Sequence, residues 1–577
     1  MSNLSAFSAR ATAVSIGDRP ALGVIGGANS ACSKHVHALA CMLLQAIVFS
    51  GVCVAATPPV RLQLSNAELE QAGAIIGEIS IVNADVFDLD DPRERNAFYR
   101  FATKLHPVTR PHVIRAALLI KPGDVFSARL LAETERLLRA KRYLGEASIT
   151  PVRFVDGKVD LEVRTRDVWS LDPGISFGRR GGENHFGIEL QDVNFLGTGI
   201  ELDLEHKNSV DRVTNSIQLA SDQAFGDRNE LDIGYSSNSD GNGWQLGFEQ
   251  PFYALDTRRA YGVRLERNNQ VDTFYQLGEV LDRYLVRGRD AELYGGWSSG
   301  LSDGWVRRWT AGFTQHRRQF ETVVDSLGTG LLPADRDLVY PWIGFELQQD
   351  DYQVWENRNQ IGRSEDVLIG THITARIGRT STGLGSDRSA WLYQFGVRKG
   401  YEIGTEDFLL LNSEVTGRKE NSGHADVHWD SSARYYRPIS EKNLLFAKIE
   451  TSWGHNLDLD RVNQLGGDNG LRGYPLRYQG GQSRALLTLE QRYYTDWYPF
   501  RLFRVGAAVF VDIGRTWGDD GLGTPNLGLL KDVGIGLRLG NTRSSIGNVI
   551  HIDLAFPLDG PSSIDRVQLL LEARREF

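Results

Sequence analysis

Val567–Phe577 reads V-Q-L-L-L-E-A-R-R-E-F, and this stretch decides the fold. Successive side chains of an extended strand point to opposite faces. Val567, Leu569, Leu571 and Ala573 therefore share one face, and Gln568, Glu572, Arg574 and Glu576 share the other, with Leu570 as the apolar exception. An edge strand of a soluble sandwich would explain one such segment. The pattern recurs, however, at Gly199–His206, Leu445–Trp453, Ala485–Tyr493, Phe503–Val511, Val533–Leu539 and Ile550–Phe556. In Phe503–Val511 the outward set is Phe503, Val505, Ala507, Val509 and Val511, against inward Arg504, Gly506, Ala508 and Phe510. In Val533–Leu539, Arg538 falls among the glycines of the inner face. Arginines at that frequency are costly in a dry core and tolerable in a wet lumen. The pattern predicts a mainly β chain whose residues 171–577 form an antiparallel transmembrane β-barrel, with an apolar outer wall and a closing strand that ends on Phe577.

Composition permits this reading. The chain has 577 residues, mean hydropathy −0.30, 61 Gly and 10% aromatics. A barrel hides from hydropathy because only alternate residues face lipid. Net charge is −9, with no basic excess of the kind nucleic-acid binding requires. All three cysteines, Cys32, Cys41 and Cys53, precede residue 57. Ala38–Ala56 is an apolar run after Lys34 and His35 that ends in small residues, so 1–56 reads as a secretory signal peptide with a long basic lead. The remaining chain is cysteine-free, which leaves no disulfide framework and no thiol chemistry. The histidines lack metal-ligand spacing, and neither a metal nor a cofactor is expected. Gly296–Gly300 (G-W-S-S-G) matches the nucleophile-elbow pattern but sits among strands, without the strand-turn-helix context that chemistry needs.

Residues 57–74 read as a polar lead-in, and 75–170 as a small α+β domain of order β-α-α-β-β. Ile75–Val82 alternates as a strand. Asp91-Pro92 reads as a helix start, with Phe98, Phe101, Ala102 and Leu105 as its apolar stripe, and a second helical piece follows over Pro111–Leu119. Ser127 reads as the cap of a helix bearing Leu130, Thr134, Leu137 and Leu138 on one face, and Arg129, Arg136, Arg139, Lys141 and Arg142 as a solvated face. Asp156-Gly157 marks a hairpin between the last two strands. This unit, with its P-G-D-x-F-S turn at Pro122–Ser127, resembles a POTRA domain.

Leu465–Gly481 reads L-G-G-D-N-G-L-R-G-Y-P-L-R-Y-Q-G-G. Leu471-Arg472-Gly473-Tyr474 resembles the V-R-G-F/Y motif of the long inserted loop in BamA/TamA-type outer-membrane assembly factors (the bacterial surface antigen family) and two-partner secretion translocators. Five strands follow it. Val511-Asp512-Ile513-Gly514 resembles that superfamily's D-x-G motif, and Asn194–Gly199 (N-F-L-G-T-G) resembles its turn near the start of the barrel. The resemblance implies about sixteen strands, within the even-numbered range of such barrels, whereas the alternation marks roughly twenty candidates, the surplus lying between residues 200 and 440. It also implies that Arg472, Gly473, Tyr474, Glu490, Asp512 and Gly514 form a loop lock, with Arg472 anchored by Asp512 and assisted by Glu490. Bidentate arginine–carboxylate pairing would fix the loop.

The resemblance further implies a protein of the outer membrane, with the POTRA-like domain and the C-terminus in the periplasm. It would insert or translocate β-rich client proteins without covalent chemistry, nucleotide or cofactor. The expected partners are the lipid bilayer, β-rich clients, and a periplasmic protein at the POTRA-like domain. The working element would be a lateral seam between a first strand rich in glycine (Gly174, Gly178, Gly181) and the last strand (Val567, Leu569, Leu571, Phe577). Glycines weaken strand pairing, and an opened edge accepts a client strand by β-augmentation. The alternative is a passive outer-membrane pore, or a surface antigen or scaffold, that keeps the fold and moves no client.

Overall fold

The computed structural model describes residues 64–574 apart from 226–227, 405 and 544–548. The expected leader 1–56 and the terminal Phe577 lie outside the described residues.

The N-terminal domain opens with a short helix, α1 (Asn66–Gln71), capped reciprocally by Ser65 and Glu68. Three strands follow in the sheet order β1 (Ile75–Ala84), β3 (Lys158–Asp167), β2 (Leu144–Val155), with β1 parallel and β2 antiparallel to the central β3. The turn between β2 and β3 holds Asp156 and Gly157 at φ +51° and +74°, the left-handed pair that a two-residue hairpin demands. Between β1 and β2 lie three helices, at the three helical pieces read from the sequence and one more than the order β-α-α-β-β counts: α2 (Ala97–Leu105), α3 (Pro111–Ala117) and α4 (Ala128–Arg139). Ile76, Val113, Ile114, Leu131, Leu138, Val159 and Leu161 form the domain's core with α1's Leu69.

Two local readings are corrected. Helix α2 is capped by Asn96, not started at Asp91, because the Asp91 carboxylate is taken up by the backbone and guanidinium of Arg93. Its buried side chains are Tyr99 and Ala102, while Phe101 and Leu105 face outward. The basic residues of α4 and the turn after it are not a solvated face. Arg129 pairs with Asp256, Arg139 with Asp366 (2.7 Å), Lys141 with Asp222 and Arg142 with Glu201 (2.7 Å), and Arg136 approaches Asp350 at 3.9 Å. All five acids belong to the second domain, so α4 lies across one end of it.

That second domain is a closed antiparallel barrel of twenty strands, from β4 (Leu171–Arg180) and β5 (Glu183–Asp192) to the last strand, Gln568–Arg574. The family expectation of about sixteen is therefore too low, and the alternation gave the better guide. The end facing the N-terminal domain is called proximal here and the other distal. Two small sheets are not part of the wall: a proximal hairpin of Tyr352–Glu356 with Ser364–Leu368, and a distal pair, Asn463–Leu465 with Gln479–Gly481. Gly296–Gly300 falls in the wall strand Glu279–Ser302, where the Ser298 hydroxyl donates to the Arg307 carbonyl (2.9 Å).

The wall is apolar outside and charged inside. Ile188, Ile233, Leu293, Ile343, Trp429 and Val509 are among the exposed outward side chains, while Glu189, Arg308, Arg492, Asp512 and Arg538 are buried within. A water-facing surface does not carry an apolar band encircling the whole protein, and a lipid-facing one requires it. The fold is a transmembrane β-barrel. Val509→Arg should therefore lower stability in a bilayer by about 2–4 kcal/mol, the range for arginine near mid-membrane. Denaturant titration of vesicle-folded protein measures this, and an unchanged midpoint would contradict a lipid-facing wall.

Candidate functional site

Loop 456–482 leaves the wall at the distal end and folds back into the lumen. Wall arginines grip its base: Arg336 donates two bonds to Asp460 (2.8 and 2.6 Å), and Arg418 two to Asp458 (2.7 and 2.9 Å). Farther along, Arg477 donates two bonds to Asp211 in the distal turn after Asn208 (2.9 and 2.7 Å). The loop thus bridges the distal opening on three bidentate supports.

Its tip is Leu471-Arg472-Gly473-Tyr474. The Arg472 guanidinium donates to both oxygens of Asp512 (2.6 and 3.0 Å) and to Asp553 (3.1 Å), and lies 3.3 Å above the Phe510 ring centre. The Gly473 N–H donates to Asp532 (3.0 Å), and a Cβ there would stand 2.7 Å from Asp532 Cβ and 3.0 Å from the Pro557 nitrogen. The buried Tyr474 hydroxyl bonds the Lys531 carbonyl (2.8 Å). Gly514 sits within the wall strand Phe503–Trp517, where its missing side chain makes room for Leu465 of the loop, 2.7 Å from where a Cβ would be.

Strand parity puts Glu490 on the correct face, but the structure places it one step from Arg472. Glu490 accepts from Arg492 (3.1 Å) and from Arg538, and Arg538 also donates to Asp553. The second direct partner of Arg472 is Asp553, which the sequence reading missed. Its inward position in Ile550–Phe556 was a readable signal, since it alternates with Ile552 and Leu554. From Arg492 the chain of contacts continues to the proximal hairpin: its guanidinium donates to the Arg358 carbonyl (3.0 Å). The hairpin's Asp366 in turn accepts two bonds from Arg139 of α4 (2.8 and 2.7 Å). One series of contacts therefore links the distal lock to the N-terminal domain. Trp355 and Ile361 of the hairpin pack with Tyr436, Leu444 and Phe446 of the wall, filling the lumen from the proximal side.

The barrel closes between β4 and the last strand. Among the described residues one register pair, Leu571 opposite Arg179, joins them. The last strand makes seven pairs with its other neighbour, and β4 makes ten with β5. Gly174 and Gly178 lie in β4, opposite Glu189 and His185. Gly181 belongs instead to the β4–β5 turn, at φ +52°, and meets the lock loop: a Cβ there would stand 2.2 Å from the Leu476 nitrogen. Val567 and Leu569 are exposed on the lipid side, as their parity requires, and Leu570 is buried inside with Phe510 and Ala555.

The site is a barrel plugged by a carboxylate-anchored loop, sparsely paired at its seam among the described residues and fronted by a small α+β domain. No family model matches the chain, and no curated protein matches its sequence. Among solved structures it is similar to BamA from Haemophilus ducreyi lacking POTRA domains 1–3, at 13% identity over 86% of this chain and 84% of that one (TM-score 0.39). It is also similar to CdiB from Acinetobacter baumannii (13%, 87% and 73%, TM-score 0.41) and CdiB from Escherichia coli (13%, 86% and 76%, TM-score 0.43). Likeness at that distance assigns no role.

Removing one member of a buried ion pair typically costs about 3–5 kcal/mol, because the other charge is left alone. Arg472→Ala should free loop 456–482, seen as faster proteolysis of the loop in a folded barrel. Arg472→Lys should rescue little, since an ammonium cannot reproduce the fork. Equal protection in all three forms would refute the lock. The Asp211 tether should respond to pH. Burial pushes its pKa up, but the bonds and charge of Arg477 outweigh this and lower it. A depressed carboxylate pKa contributes stability above its unfolded value near 4, and that is lost as pH falls through the folded value. Loop cleavage should rise in acid, and Asp211→Asn should remove that part of the pH dependence.

Proposed function

We propose that the chain is an outer-membrane insertase or translocase for β-rich client proteins, acting through the seam between β4 and the last strand. The observation that carries this reading is the sparse pairing of that seam among the described residues, in a wall whose other neighbouring strands pair extensively. An edge released there presents unpaired backbone groups, to which an incoming strand can add without nucleotide or cofactor. The proximal end is then periplasmic, and the N-terminal domain is a single POTRA-type module that receives a client or a periplasmic partner. The lock supports the same reading. It touches the β4–β5 turn at Gly181, so it can hold the top of the seam strand while the seam below separates. A passive pore is disfavoured, because the lumen is filled from both ends.

Cysteines at Arg179 and Leu571, which stand opposite each other, test the proposal. Oxidised protein in vesicles should keep its barrel fold and lose client delivery, and reduction should restore it. Equal delivery by both forms would overturn the seam mechanism and leave a static barrel.

A further inference from the structure

Helix α2 presents three different faces. Tyr99 and Ala102 turn inward, where they pack with Val86 and Phe87. Phe101 and Leu105 lie one helical turn apart and are 64% and 52% exposed, and Val108 just beyond the helix is exposed as well. Arg100 and Lys104, also one turn apart, form an exposed basic face beside the apolar one. Such side chains face water at a cost unless something covers them.

The position of the helix says what covers it. At its start, the Tyr99 hydroxyl donates to the Phe500 carbonyl (2.9 Å), in the proximal turn 495–502 of the barrel. Past its end, the Arg110 N–H donates to the Gly197 carbonyl (3.0 Å) and Asn194 bonds the Thr109 hydroxyl (2.7 Å), in the proximal turn after β5. Between those turns along the wall stand six strands, from Phe503–Trp517 to β5, with the last strand and β4 among them, so α2 bridges the proximal side of the stretch that contains the seam. The turns themselves carry exposed apolar groups, Trp497 and Phe500 at one side and Phe195 and Leu196 at the other. The outward apolar face of α2 therefore continues the lipid-facing wall around its proximal rim. Charge points the same way. In a chain of net charge −9, residues 96–115 hold Arg100, Lys104, Arg110 and Arg115 and no acid, while Arg93 just before them is paired with Asp91 (2.8 Å). Glu94 is buried and taken by Arg501 and Arg543. An apolar stripe flanked by basic side chains is the composition of a helix lying in a membrane interface rich in anionic lipid.

We propose that α2 is a membrane-contact surface: Phe101, Leu105 and Val108 enter the headgroup region of the leaflet around the barrel's proximal end, and Arg100 and Lys104 bind anionic phosphate there. This rests on the barrel spanning a bilayer. It fixes the N-terminal domain to the lipid on the proximal side of the stretch that contains the seam, where bilayer packing decides how readily the two strands part.

The test uses the full chain without its native cysteines, folded into phosphatidylcholine vesicles with and without phosphatidylglycerol. A polarity-sensitive fluorophore is placed singly on cysteines replacing Phe101, Leu105, Val509 and Val155. Val509 is the wall control and Val155, exposed on the β2–β3 hairpin, the water control. With phosphatidylglycerol, probes at 101 and 105 should shift blue and be quenched by headgroup-region spin-labelled lipid, like Val509 and unlike Val155. The double change Arg100→Glu, Lys104→Glu should reverse most of that shift. Water-like emission at 101 and 105 beside lipid-like emission at 509 overturns this inference alone. Water-like emission at 509 as well overturns the membrane reading with it. A shift at 101 and 105 indifferent to lipid charge and to the double change overturns the anionic-lipid assignment.

Discussion

The structure depends on the burial of Arg472 among carboxylates. A guanidinium taken out of water is costly unless its charge is met and its donors are used. Here Asp512 meets it with two bonds, Asp553 adds a third, and the Phe510 ring covers its face. That demand explains the surrounding composition. Asp553 must itself be balanced, which Arg538 does, and Arg538 requires Glu490, which also accepts from Arg492. Arg472, Asp512, Asp553, Arg538, Glu490 and Arg492 thus form one series in which each charge meets an opposite one. The glycines follow from the same requirement. At Gly536 a Cβ would stand 1.8 Å from the Asp553 carboxylate, and at Gly473 it would strike Asp532. Side chains are absent where the ion-pair geometry needs the space.

Much of this was legible in the sequence. Alternation over Phe503–Val511 and Val533–Leu539 gave the inside and the outside of the wall, except that Val505, read as outward, is buried. The L-R-G-Y and V-D-I-G segments marked Arg472 and Asp512. Parity could say that Glu490 faces inward but not how far it lies from Arg472, because strand stagger around a barrel is set by pairing register. The domain helices were legible as elements but not in their faces. Phe101 and Leu105 look like a core stripe on a helical wheel, and only the docking of Tyr99 onto turn 495–502 turns them outward. The α4 cations looked like a solvated face for a similar reason: their partners, Asp222, Asp256 and Asp366, are remote in sequence. The proximal hairpin 352–368 carries no motif, and its place in the lumen is a tertiary fact.

Plugging from both ends constrains how such a barrel can work. The distal loop is held by charges that would be exposed together if it left, and the proximal hairpin is tied to α4 by Arg139 and Asp366. Clearing the lumen would break bidentate pairs at both ends, each costing a few kcal/mol where buried. Parting the seam asks for much less. Among the described residues it gives up the Leu571–Arg179 register pair, and the freed backbone groups are those an added strand would pair. On the proposed mechanism the motion is therefore lateral, with the plug left in place as the support against which β4 and the last strand would separate.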